Sequence, residues 1–591
     1  MNHFPRVITV VLVCLASATL LHSQQVFEVN LNDRSGDSFK VTLHPEQLSA
    51  SDSIYQFAAT APGTYQVMDI GRFVSNFKAY DGVGRQVPSK HTSTNQWSLS
   101  RPAEVRKITY DVADIWDAKV DSDRLYPMCS STISDDFVMM NGQTVFGYFS
   151  GMQTDPIKIK IDYPSDWQVG TALQKDKDGY YDAEDFDKVV DSPFYLGKLS
   201  TASEEVGGAK INVYTYSKTG AITSVDLLAS LKSILKAESD FTKGLPVDHY
   251  AFLFYFGNFG AGAWEHSYSS EYVMKEDSLT PTYAEHIVSI VAHEFFHVNT
   301  PLNLHSELIE HFNFVKPVMS QHLWLYEGTT EWAAHMLQLR DSLITLSQYL
   351  QVLQGELTAN DGYNQNLSLT ELGIHSTEMQ DQYGNIYQKG ALVSGLLDIR
   401  LLELSHGTRG LRELLLELLK KYGKNRAFSE QNFFQQLTDM TYPEIGNFIE
   451  RYIKGTDKLP VQEYFGWLGI DYSENAGYDS SRSSLGVALG LVQNAIGVTS
   501  VLPDSKSGLL KGDVIEKVDS AALTFQNAGS IFRRLMGMKP GERVTITVKR
   551  DGKELQIVAQ LQPRTIRHKF TVDAHPTAEQ LILRDAWMKN L

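Results

Sequence analysis

The sequence predicts a multidomain α+β chain, rich in strands at both ends and mainly helical in between. Three observations predict it. At 591 residues the chain is longer than a single hydrophobic core fills, so about two to four domains are expected. Apolar residues alternate with period two near both ends, as half-buried strands require. In the middle the pattern changes to the i, i+3, i+4 spacing of amphipathic helices, most plainly at Leu411, Leu414, Leu415, Leu418 and Leu419.

The elements follow in order. Residues 1–23 place Arg6 before the apolar run 7–15 and the small residues 16–19, the layout of a signal peptide cleaved near Ser23. The run is short for a membrane anchor, and no later stretch approaches the ~20 apolar residues a spanning helix needs. An exported protein is expected, in a bacterial periplasm, at the cell surface or secreted. Without the leader Cys129 stands alone, which excludes an intrachain disulfide and suits a bacterial envelope. Residues 24–165 read as a β-sandwich: 27–31, 39–43 and 107–112 alternate, with turn signals at Ala61-Pro62-Gly63 and Tyr80-Asp81-Gly82. Residues 166–472 open with strands, including the apolar run 250–256, and then become helical. The Ser-rich stretch 473–484 reads as a linker, 485–565 as a second β-rich domain, and 566–591 as a tail with a short helix. The net charge of −17 excludes nucleic acid as a partner, because phosphate binding needs clustered cations.

The chemistry concentrates in His293-Glu294-Phe295-Phe296-His297. Apolar residues at 287, 290, 291, 295 and 298 give it helical periodicity, Thr282 with Glu285 forms a capping box, and Pro301 ends the helix. On that helix the two histidines share a face one turn apart, where both imidazoles can hold one Zn²⁺. Glu294 beside them can take a proton from a metal-bound water. A catalytic zinc wants a third protein ligand and one open position. Glu327, in the block 323–332 (LWLYEGTTEW), is the choice, with Glu331 a turn later holding a ligand histidine; Glu307 and Glu310 are rivals.

These motifs, with Tyr387-Gln388-Lys389-Gly390 downstream and Pro62-Gly63-Thr64-Tyr65 upstream, resemble the glycyl aminopeptidase family of zinc metallopeptidases. That family's catalytic core is related to those of aminopeptidase N and thermolysin. The resemblance implies one zinc per chain held by His293, His297 and Glu327, with Glu294 as general base. It implies that Tyr387 hydrogen-bonds the oxyanion, with Tyr383 as fallback. Gly262-Ala263-Trp264-Glu265-His266 resembles the motif lying along substrate in related aminopeptidases, which makes Glu265 the reader of a free N-terminus and Gly262 and Trp264 substrate contacts. Two departures bear on specificity: Trp264 is bulkier than the family's usual aliphatic, and the family's Trp-Asn and basic residues are missing after His297.

Residues 508–515 (GLLKGDVI) resemble the turn-and-strand signature of PDZ domains. Leu485-Gly486-Val487 would then be the loop whose amides capture a C-terminal carboxylate, with a helix at 527–536 as the other groove wall. The expected function is a zinc-dependent aminopeptidase acting on peptides or proteins. The alternative is an exported peptide-binding or chaperone protein with a weak or inactive metal centre, acting through its PDZ-like domain.

Overall fold

The computed structural model describes residues 24–589 except 120–123, 311, 493–494, 503 and 525–526. The leader expected at 1–23 lies outside the described residues. Among the described residues no helix is long and apolar enough to cross a membrane.

The N-terminal domain is rich in sheet. Its largest sheet runs Tyr181–Ala183, Ile157–Asp162, Gln25–Asn30, Ser38–His44, Val105–Ala113, Val74–Asp81, Gln86–Val87. The expected alternation is realised: Phe27, Val29, Phe39, Val41 and Leu43 point into the core while Glu28, Lys40 and Thr42 point outward. A second sheet carries Tyr55 against the first, where Tyr110 meets Tyr55 and packs edge-on against Phe57 at 5.1 Å. The domain runs beyond the expected boundary at 165, because Gln168–Gly170, Tyr181–Ala183 and Phe194–Gly197 pair within its sheets. These strands are only three or four residues long, too short to show a period in the sequence.

The middle domain opens on a five-stranded sheet whose central strand, His249–Gly257, is apolar throughout because both faces are covered. Phe295 of the helix Pro281–Phe296 packs on Phe252 from one side, and Phe137 and Tyr195 of the N-terminal domain close the other. Gly262–His266 is an edge strand of this sheet. Helices follow, among them Thr329–Arg340, Leu346–Asn360, Asn385–Leu404 and Leu411–Lys421.

The stretch 473–484 is not a linker. It lies within the strand Ile470–Ser484, paired antiparallel with Gln562–Val572 in a two-stranded ribbon that carries the PDZ domain. The ribbon is solvated along much of its length, so its strands show no apolar period, and Ser-rich composition misled the sequence reading. Its far strand is fixed to the helix Leu346–Asn360: His568 contacts Asp361 at 2.7 Å, and Gln354 donates to the Arg567 carbonyl at 2.7 Å.

The tail forms the helix Ala578–Lys589 and buries Trp587 against Tyr349 and Phe465. Arg340 binds this anchor: its Nε donates to the Trp587 carbonyl at 3.0 Å while a terminal nitrogen pairs with Asp398 at 2.7 Å. Both charged side chains are fully buried, and the other Asp398 oxygen accepts from the Leu411 amide. Removing one member of such a pair strands the other charge. Asp398→Ala is therefore expected to destabilise the middle domain by about 3–5 kcal/mol, read as a lowered midpoint in denaturant unfolding.

Candidate metal centre and cleft

The helix Pro281–Phe296 is capped by Thr280, two residues before the expected cap. Thr280 Oγ1 accepts from the Tyr283 amide at 3.3 Å and Pro281 takes the first helical position, where its missing N–H costs nothing. Thr282 and Glu285 therefore lie inside the helix and form no capping box. The helix ends at Phe296, but His297 keeps helical dihedrals, so both imidazoles still share one face with their rings 4.8 Å apart.

Glu327 arrives from the next helix through a π-turn at Trp324–Gly328, a widened coil that recurs at functional sites. The turn packs against the helix Asn385–Leu404 because Gly328 and Gly390 touch. A Cβ at Gly328 would lie 2.5 Å from the Gly390 Cα. This glycine contact brings Tyr387 across from Glu327.

The donor atoms converge. Glu327 Oε2 lies 3.4 Å from His293 Nε2 and 3.6 Å from His297 Nε2, and all three side chains are buried. His293 Nδ1 faces Glu331 at 2.7 Å and His297 Nδ1 faces the Thr300 carbonyl at 3.0 Å. Each Nδ1 therefore carries the proton that its acceptor requires, and each Nε2 is directed at the Glu327 carboxylate. This fits a divalent ion at the point of convergence, with one ligand atom from each residue. The rivals lie elsewhere: Glu307 accepts from the Glu430 amide, and neither it nor Glu310 joins the histidines.

Electrostatics separate the roles. Burial pulls His297 down to about 4, which keeps it neutral and able to ligate. Burial also lowers His293, but its bonds to Glu327 and Glu331 outweigh that and raise it. Glu331 is held down to about 2 although burial opposes it, because His293 bonds and charges against it. Burial pushes the Glu294 carboxyl up to about 7, with Glu327 and Glu331 adding to the rise against His293. A carboxyl in that range suits proton transfer near neutrality.

A cavity of about 310 Å³ opens over these residues. Glu294, Glu265, Tyr383 and Tyr387 line it beside His293, His297 and Glu327. The Tyr387 ring lies 5.6 Å from the His293 ring, and the Tyr383 and Tyr387 hydroxyls are 3.0 Å apart. Burial pushes both phenols well up, so they remain O–H donors. Glu265 reaches the cavity from the edge strand, within 4.8 Å of Glu294 and His297 donor atoms. Trp264 and Gly262 differ in placement. Trp264 lines the cavity, and its Nε1 also donates to the Pro62 carbonyl at 3.1 Å, which fastens the N-terminal domain to the cleft. Gly262 lines neither this cavity nor a neighbouring one of about 460 Å³ and lies under Met128.

Sequence reasoning missed Tyr65. Its hydroxyl donates to Glu327 Oε1 at 3.0 Å from 262 residues away, a separation that no local pattern reveals. Cys129, buried and unpaired, also borders the cavity.

In the PDZ domain, Val487–Val492 is an edge strand, and the helix Ala528–Gly537 is present as expected. Of the three loop amides, that of Gly486 is already bonded to Ser484 Oγ at 2.9 Å.

A peptidase fold with a buried two-histidine, one-carboxylate centre is the class this geometry defines. Family models narrow it: the M61 peptidase N-terminal domain matches residues 26–198, the M61 glycyl aminopeptidase residues 286–393, and the PDZ domain residues 466–561. The chain thus carries both domains of the M61 peptidase family together with a PDZ domain. No curated protein matches it in sequence. Among solved structures it is similar to an aminopeptidase N family protein from Idiomarina loihiensis. The two are 21% identical with a TM-score of 0.78 over 96% of this chain and 100% of that one, a likeness of fold. An M1 zinc metallopeptidase from Deinococcus radiodurans is more distant, at 14% identity and a TM-score of 0.46 over 74% of this chain and 94% of that one.

The N-terminal domain meets the cleft through Gly63, whose φ of +71° is natural only to glycine. A Cβ there would sit 2.6 Å from Glu265 Oε1 and 2.8 Å from Trp264 Nε1. Gly63→Ala is expected to cost more than ~1 kcal/mol and to displace Glu265, visible as a lowered melting temperature and a shifted carboxylate in a crystal structure of the variant.

Proposed function

We propose that this chain is a zinc-dependent aminopeptidase that removes N-terminal residues from peptides. One observation carries the reading: four carboxylates, Glu265, Glu294, Glu327 and Glu331, crowd two histidines around a single cavity. Two positive charges from a divalent ion would leave an excess of negative charge, which a substrate α-ammonium at Glu265 reduces further. A blocked N-terminus brings no such charge.

Zinc, when bound, supplies a Lewis acid that polarises the scissile carbonyl and acidifies the attacking water. His293, His297 and Glu327 would hold it, and Glu331 fixes the His293 ring. Glu294 takes the water proton and passes it to the departing amine. Tyr387 donates to the carbonyl oxygen as it gains charge, a bond that strengthens only in the transition state. The free edge of Gly262–His266 supports pairing with the substrate backbone, and Glu265 stops the chain at its ammonium. Trp264, held in the wall of the cleft, narrows it, and preference for N-terminal glycine is not part of the proposal.

The free edge of Val487–Val492 supports a second site for a C-terminal peptide at Leu485-Gly486-Val487, with the Leu485 and Val487 amides available to its carboxylate. Export to a periplasm or cell surface is proposed from the leader pattern, and N-terminal sequencing of the envelope protein tests it.

Two outcomes are expected of the purified protein. It should retain about one zinc and hydrolyse aminoacyl amides while sparing N-acetylated peptides; cleavage of blocked peptides alone would overturn the aminopeptidase assignment. Glu294→Ala should keep its zinc and lose at least ~100-fold in kcat, the usual worth of a general base.

A further inference from the structure

We infer that Tyr65, supplied by the N-terminal domain, is a positioning residue of the metal centre that fixes the Glu327 carboxylate for single-oxygen ligation. The inference rests on the zinc reading above and adds a component from another domain.

The two oxygens of Glu327 face different partners. Oε2 looks towards His293 Nε2 and His297 Nε2 at 3.4 and 3.6 Å. Oε1 accepts from the Tyr65 hydroxyl at 3.0 Å. A carboxylate with one oxygen held this way cannot swing both oxygens onto an ion without losing that hydrogen bond. The phenol therefore sets the rotation of the carboxylate, much as a carboxylate partner sets the ring of a ligating histidine.

The loop is built to hold Tyr65 in place. Its φ of +46° lies in the left-handed region, costly for a residue with a bulky side chain and kept only where surroundings impose it. Those surroundings are on both sides. Gln380 Nε2 donates to the Tyr65 carbonyl at 3.2 Å, and Thr64 Oγ1 donates to the Ala61 carbonyl at 2.7 Å. Trp264 Nε1 holds the Pro62 carbonyl, and the Tyr65 ring rests 5.5 Å from that of Tyr383. Strain at a single residue, in a loop fixed by four separate contacts and directed at a buried carboxylate, points to a role beyond packing. On this reading the centre is complete only when the N-terminal domain is docked.

Tyr65→Phe removes one hydroxyl and leaves the ring, so the fold should persist, with its melting temperature as the check. Zinc affinity, measured by competition with a chromogenic chelator, should fall about 10–100-fold, the usual effect of losing a partner of a metal ligand. The visible absorption of the cobalt-substituted protein should shift, which a merely structural change elsewhere would not cause. Gln380→Ala keeps every tyrosine and should give a smaller loss in the same direction, so a misfolded Tyr65→Phe does not end the test. Wild-type zinc affinity and an unchanged cobalt spectrum in Tyr65→Phe would overturn the inference while leaving the peptidase reading intact. Failure of the wild-type protein to take up zinc would overturn both.

Discussion

The structure is organised around one costly placement: the Glu327 carboxylate, buried within 4 Å of two buried imidazole nitrogens. Burying such groups is unfavourable unless each polar atom finds a partner. Nearby packing supplies those partners. Glu331 and the Thr300 carbonyl take the outward nitrogens of the histidines, and Tyr65 takes the second oxygen of Glu327. What faces the cavity is Oε2, 3.4 and 3.6 Å from the two Nε2 atoms, and the Glu294 carboxyl. At this centre the charged atoms left without further partners thus lie along the cavity.

Backbone geometry makes the placement possible. A regular helix at Trp324–Gly328 would set Glu327 at a different angle, and the π-turn adds the extra rotation. Contact between Gly328 and Gly390 then lets the third helix approach closely enough to bring Tyr387 to the same cavity. Both glycines stand inside motifs that attract attention for their polar residues. Their work is steric: neither could carry a side chain without separating the two helices.

What was legible in the sequence follows from the range of the forces involved. His293, Glu294 and His297 are local, set by one helical turn, and their spacing alone carried the reading. Glu327 was chosen on position with Glu307 and Glu310 left as rivals, and the resemblance then put it among the ligands; Tyr387 was reached through resemblance. Helix capping went wrong by two residues because Pro281, which lacks an N–H, suits the first position better than Thr282 suits the cap. The ribbon Ile470–Ser484 was unreadable because its two strands stabilise each other and bury little apolar surface, so polar composition looked like a linker. Tyr65 stood in a motif that carried the resemblance, but its bond to Glu327 was not legible. A hydrogen bond between residues of different domains leaves no period, spacing or composition to read.

The ribbon also changes how the PDZ domain relates to the catalytic one. A flexible linker of a dozen residues would let the domain sample a broad volume, and a peptide held there would meet the cleft only at an effective concentration set by the tether. Two paired strands behave differently. Ile470–Ser484 enters and Gln562–Val572 leaves side by side, and His568 joins Tyr472 at 2.6 Å to Asp361 at 2.7 Å, the residue that caps the end of the helix Leu346–Asn360. Arg567 adds an ion pair to Asp361 at 2.6 Å. Moving the base of the ribbon breaks several of these partly buried contacts together, so the PDZ domain is carried on a fixed stem. Its free edge, Val487–Val492, then projects from a defined point on the enzyme, and any peptide captured there is presented in a limited set of directions.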